Sequence, residues 1–152
     1  MYRVLWIEDE AETQLRNFMH PVIMAGHVIE FVTNVTDAIL RMSQEAYDLI
    51  ILDLIVNAGP DKRWKEIDKD PEEDKNSYLG LQLLRAVFDR EASRIDVQVP
   101  PEHVSPQKFA IFTIVQDKEI HDEIASFGIT ALYSKRRSNL YTLMQIIEEQ
   151  LG

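Results

Sequence analysis

The sequence predicts an α/β protein in which one five-stranded parallel sheet is covered by helices on both faces, and two observations carry that prediction. The first is Leu49-Ile50-Ile51-Leu52-Asp53-Leu54-Ile55-Val56, a run of large apolar residues interrupted once by a carboxylate. It is too short for a membrane span and reads as a strand buried on both faces, the pattern of a parallel sheet. The second is order: short apolar runs alternate five times with stretches of helical spacing, and right-handed crossovers then place every strand in one parallel sheet.

Tyr2 to Ile7 is the first strand, and it stops at three acids, Glu8-Asp9-Glu10. Residues 11 to 25 place Leu15, Phe18, Met19, Val22 and Ile23 at helical spacing up to Gly26, with Pro21 as the discordant residue, since an interior proline removes a hydrogen bond and kinks a helix. His27 to Val32 is the second strand. Asn34 or Thr36 caps a helix running to about Glu45 through Ala38, Ile39 and Met42. The third strand begins near Asp48. An unpaired carboxylate in its middle would cost several kcal/mol, so Asp53 belongs at its carboxyl end, where α/β sheets open into their binding crevice.

Beyond Asp53 the composition changes. From Asn57 to Leu79 there are twelve charged residues, two prolines, and Trp64 and Tyr78 as the aromatics. Such a long polar excursion is expected to be functional or mobile, to bury little apolar area and to be dispensable for folding. Asp68, Asp70, Glu72 and Asp74 have the alternate spacing of a calcium loop, but Glu73 replaces the required glycine and Leu79 the closing acid. A helix carrying Leu81, Leu84, Val87 and Phe88 resumes near Gly80 and ends around Arg90. An irregular stretch from Glu91 to Gln107 holds three prolines. Phe109 to Thr113 is the fourth strand, 117 to 127 a helix stopped by Gly128, and Ile129 to Tyr133 the fifth strand, ending at Ser134-Lys135. Ser138 is placed to cap a last helix whose stripe is Leu140, Leu143, Met144, Ile147 and Leu151.

The chain reads as a single domain over residues 1 to 152, with the charged insertion at about 57–79 and the irregular loop at about 91–107. Its net charge of −10 argues against nucleic acid or an anionic membrane as a direct partner. There is no cysteine, hence no disulfide framework and no thiolate chemistry. The start has no signal-peptide pattern and no apolar run approaches a membrane helix, so a cytoplasmic location is expected. The four histidines have no ligand spacing, and Trp6 is expected in the core.

Parallel strands share one carboxyl edge, which gathers Glu8 and Asp9 from the first strand, Asp53 from the third, Thr113 from the fourth and Lys135 from the fifth. Carboxylates crowded in this way repel unless a cation neutralises them, and an all-oxygen cluster with open positions suits Mg2+.

The residues Val4-Leu5-Trp6-Ile7-Glu8-Asp9-Glu10, Tyr47 to Leu54, Phe112-Thr113, and Ile124 to Ile129 leading on to Lys135 together resemble the receiver domains of two-component response regulators. The resemblance spans nearly the whole chain and implies a stand-alone CheY-like, flavodoxin-like fold with strand order 2-1-3-4-5. It further implies that Asp53 is the phosphoacceptor, taking a phosphoryl group from a histidine kinase or phosphotransfer protein. Glu8, Asp9, Asp53 and the Ile55 carbonyl would hold Mg2+, Thr113 would bond the phosphate and Lys135 would pair with it. The signal would leave through contact with a downstream protein, and the chain would be no enzyme beyond its own phosphotransfer and dephosphorylation.

Several positions depart from the family pattern. Arg136 stands where proline usually follows the lysine. Leu132 occupies the aromatic switch position, with Tyr133 one place later, and bulky Ile114 replaces a small residue. Twenty-six residues separate Asp53 from Gly80, where the family has about seven. Two alternatives stay open: a receiver-like interaction module that is not phosphorylated, and a phosphatase of the haloacid dehalogenase type. The latter wants a second Asp two residues after its nucleophile, where Ile55 stands.

Overall fold

A computed structural model of the chain describes residues 1–68 and 78–152. Five strands form one parallel sheet: β1 (Arg3–Ile7), β2 (Val28–Val32), β3 (Leu49–Leu52), β4 (Phe109–Thr113) and β5 (Ala131–Ser134), in the order β2-β1-β3-β4-β5. The doubly wound architecture and its strand order are therefore as expected.

Because strand side chains alternate between faces, the sheet divides its core in two. Leu5, Ile7, Ile50, Leu52, Phe109 and Ile111 face one layer, formed by α2 (Val35–Gln44), α4 (Leu79–Phe88) and α5 (Lys118–Ser126). Val4, Trp6, Leu49, Ile51, Ala110 and Phe112 face the other, formed by α1 (His20–Met24) and α6 (Thr142–Leu151). Trp6 is core, as expected. Two caps fix helix starts: Asn34 Oδ1 accepts from the Asp37 N–H at 2.8 Å and Asp117 Oδ1 from the Ile120 N–H at 3.2 Å. Gly128, at φ +93°, adopts the left-handed conformation that stops α5.

Four local expectations are corrected. The helix expected over 11–25 is confined to His20–Met24 after a short 3-10 turn at Arg16–Met19, so Pro21 lies in a first turn, where its missing N–H costs nothing. The fifth strand starts two residues late, at Ala131. The last helix starts at Thr142 rather than at a Ser138 cap; Leu140 is 49% exposed, and Ile146 takes its place in the buried stripe. The Ser138 hydroxyl instead donates to the Lys135 carbonyl at 2.6 Å.

The fourth correction concerns the insertion. Residues Lys62–Asp68 form a helix, α3, that buries Trp64 and Ile67 in the same layer as Leu54, Val56 and Leu79; Trp64 is only 1% exposed. An i, i+3 apolar pair is enough to dock one helical face, and the surrounding charges hid it. The irregular stretch also packs down, through Ile95, Val97 and Val104, and Arg63 Nη1 donates to the Asp96 carbonyl at 2.9 Å across the two segments. His103 Nδ1 donates to the Met42 carbonyl at 2.8 Å, fixing the same stretch to the end of α2. Most of the calcium-like spacing, including Asp70, Glu72 and Asp74, lies outside the described residues.

Candidate functional site: an acidic cluster at the carboxyl edge of the sheet

Register brings the site together. Ile7 pairs with Leu52, and each is the last residue of its strand, so the next residues, Glu8 and Asp53, emerge side by side. The backbone holds them there: the Glu8 N–H donates to the Val32 carbonyl and the Asp53 N–H to the Ile7 carbonyl, both at 3.0 Å. One oxygen from each of Glu8, Asp9 and Asp53 lies within 4.8 Å of the others. Glu8 and Asp53 are buried, at 0% and 3% exposure, which makes their charges expensive.

The cation comes from the far end of the sequence. Lys135 begins a 3-10 turn just past β5, and its Nζ lies 2.6 Å from Asp53 Oδ2 while also contacting Glu8 Oε1. The Ile55 N–H donates to Asp53 Oδ1 at 3.2 Å, so both carboxylate oxygens of Asp53 are oriented. Glu8 Oε2 accepts from the Glu10 N–H at 3.2 Å, whereas Oε1 makes no hydrogen bond of ordinary geometry and relies on the ammonium.

These placements shift protonation. Burial drives the Glu8 carboxyl up to about 7; the Lys135 ammonium pulls the other way, and the Asp53 carboxylate adds to the rise. Burial also works against the charge on Lys135, but the Asp53 and Glu8 carboxylates outweigh it and hold the ammonium above its ordinary value. Three carboxylates thus cluster at this edge with one ammonium, which contacts Glu8 and Asp53. The donor set is hard oxygen, which fits a divalent cation such as Mg2+.

Thr113 ends β4 at the same edge, buried, with its hydroxyl accepting from the Val115 N–H at 3.3 Å. It lines a cleft of about 330 Å³ with Val115, His121, Leu132 and Tyr133. Leu132 is the exposed side chain of that pair of β5 neighbours. Tyr133 faces the α6 layer, where its hydroxyl donates to Glu149 Oε2 at 2.6 Å and accepts from Gln150 Nε2 at 2.8 Å. The register of β5 therefore sends the aromatic to the layer opposite that of an aromatic at position 132. Ile114 is exposed at the rim. His121, read from sequence as an ordinary residue, donates from Nε2 to the Val115 carbonyl at 2.9 Å and pins the segment after β4; nothing in its spacing signalled this.

A doubly wound α/β fold with an acidic cluster and a lysine at its carboxyl edge is the class of protein defined here. The chain has the fold of response-regulator receiver domains. A CheY-like receiver domain from Methanospirillum hungatei superposes with a TM-score of 0.65 at 16% identity, covering 99% of this chain and 94% of that one. The receiver domain of a Luxo repressor protein from Vibrio parahaemolyticus gives 0.63 at 19% identity, covering 99% and 89%. A response regulator from Burkholderia pseudomallei, with a phosphorylated aspartic acid and a calcium ion, gives 0.60 at 15% identity, covering 99% and 71%. No protein-family model and no curated protein matches the sequence.

Proposed function

We propose that this chain is a phosphoacceptor receiver of two-component signalling, taking a phosphoryl group from a histidine kinase or phosphotransfer protein onto Asp53 and passing the signal on by protein contact. The observation that carries the reading is the 2.6 Å pair between Lys135 Nζ and Asp53 Oδ2 inside a three-carboxylate cluster. An aspartate nucleophile needs its charge kept and its oxygens aimed. Lys135 pairs with one oxygen, and the Ile55 N–H aims the other. As the Asp53 oxygen–phosphorus bond forms and the bond from phosphorus to the donor breaks, negative charge spreads over the phosphoryl oxygens, and the fixed ammonium stabilises it with little reorganisation.

Glu8, Asp9 and Asp53, with the Ile55 carbonyl, would hold Mg2+, which when bound supplies further charge stabilisation to the same oxygens. Thr113, buried at the end of β4, is the hydroxyl for the phosphoryl group. No helix among the described residues is long and apolar enough to cross a membrane, and a cytoplasmic setting beside the kinase fits the reading.

Intact mass after incubation with acetyl phosphate and magnesium tests it. The expected outcome is a gain of one phosphoryl group that vanishes in Asp53→Asn, which keeps the side-chain shape without the nucleophilic carboxylate. Full labelling of the Asn variant would remove Asp53 from its role.

A further inference from the structure

We propose that Arg136 and Arg137, on the turn that carries Lys135, form an electrostatic guide for the site that favours dianionic phosphoryl donors; this rests on the phosphoacceptor reading above. The chain carries a net charge of −10 and its site sets three carboxylates against one ammonium, so a free dianion approaches against the field. The two arginines follow Lys135 directly, on the same 3-10 turn, Lys135–Arg137. That turn is held at both ends. The Arg136 N–H donates to Ser134 Oγ at 3.2 Å, and the Ser138 hydroxyl and N–H both donate to the Lys135 carbonyl, at 2.6 and 3.2 Å.

Contrast with other arginines sharpens the point. Arg3 and Arg41 pair with Glu30, Arg63 with Asp61 and Arg85 with Glu123, so their charge is offset by a carboxylate, whereas the exposed Arg16 and Arg90 stand on segments far from Lys135 in the chain. Arg136 and Arg137 are exposed, and among the described residues neither has an ion-pair partner. Arg137 also borders the cleft that β5 shares with Thr142 and Gln145 at the start of α6. Two exposed cations on a pinned turn, one and two residues from the ammonium on Asp53, raise the local concentration of anions where the phosphoryl group must arrive.

The test compares two small donors under magnesium. Acetyl phosphate, a dianion at neutral pH, gives its phosphoryl group to the Asp53 oxygen as the phosphorus–oxygen bond to acetate breaks and acetate leaves. Phosphoramidate carries less net negative charge; its phosphorus–nitrogen bond breaks and the nitrogen leaves as ammonia after taking a proton. At low ionic strength, Arg136→Gln with Arg137→Gln is expected to slow loading from acetyl phosphate about threefold to tenfold, within the range of surface steering, and loading from phosphoramidate much less. In about 1 M salt, where the Debye length is roughly 3 Å, the difference should close. Arg136→Lys with Arg137→Lys should keep the wild-type rate. Equal loss with both donors, loss that persists in high salt, or failure of the lysine pair to rescue would overturn the guide while leaving Asp53 labelled. Wild-type protein unlabelled by both donors would overturn the phosphoacceptor reading itself, and the guide with it.

Discussion

Glu8 bears the heaviest electrostatic load of any residue in the site, and its titration can be followed through stability. Its carboxyl sits at about 7 in the fold against an ordinary value of 4.5. Between those values the native state holds a proton that the unfolded chain has released, so without divalent metal stability falls as pH rises from about 4.5 to about 7. The loss is at most about 3 kcal/mol, from the pKa difference alone. Urea unfolding at pH 5 and pH 7.5 would show it, and Glu8→Gln should flatten the slope; an equal slope in that variant would assign the proton to another group. A second residue-scale expectation concerns Ile55 and Val115, which stand two positions after Asp53 and Thr113 and cannot hydrogen-bond an attacking water. Ile55 is 38% exposed and Val115 is buried, so together they offer an apolar wall from rim to floor. Ile55→Asn with Val115→Gln should shorten the phosphorylated lifetime about tenfold, roughly 1.4 kcal/mol of barrier. An unchanged lifetime in protein labelled on Asp53 would mean that water is controlled elsewhere.

At the scale of elements, α3 is where the fold departs most from its sequence pattern. Trp64 is buried among apolar side chains, so Trp64→Ala should cost about 3 to 5 kcal/mol, readable as a lower urea midpoint. A change under 1 kcal/mol, the size of a surface substitution, would show that the helix does not support the core. The strands were legible because unbroken apolar runs such as Leu49–Leu52 have one economical placement. So were Glu8, Asp53 and Lys135, since parallel strand ends share an edge. What escaped was decided by tertiary contact. A lone apolar pair inside a charged stretch carries almost no periodicity, which concealed Trp64 and Ile67. A proline at position 21 looks disruptive until the helix is seen to begin one residue before it. Which face Tyr133 takes is set by the pairing of β5 with β4, where it stands beside Phe112 and so shares that residue's layer.

At the scale of the whole molecule, the site is destabilising as it stands, since it stores repulsion between buried carboxylates that folding must overcome. A cation that binds only the folded chain returns that energy. At a concentration one hundredfold above its dissociation constant, magnesium should add about 2.7 kcal/mol to unfolding free energy. Asp9→Ala, which deletes the half-buried carboxylate of the cluster, should abolish most of that gain at the same concentration. Thermal unfolding with and without magnesium measures both, and an equal gain in the Ala variant would exclude Asp9 as a ligand.

The close approach of Gly80 has its own consequence. A Cβ there would fall 2.4 Å from the Asp53 carbonyl oxygen, and the Gly80 N–H donates to the Leu54 carbonyl at 3.0 Å. The excursion that leaves the sheet after Asp53 therefore ends where it began, its two stems welded at a single point. A segment whose ends coincide can lengthen or shorten over evolutionary time without asking the strands to move, because no other part of the sheet has to span the gap. It follows that the two stems and the buried face of α3, rather than the length of chain that joins them, are what selection has to preserve here. Relatives of this protein should therefore differ freely in the number of residues between these positions while keeping a glycine at the second of them.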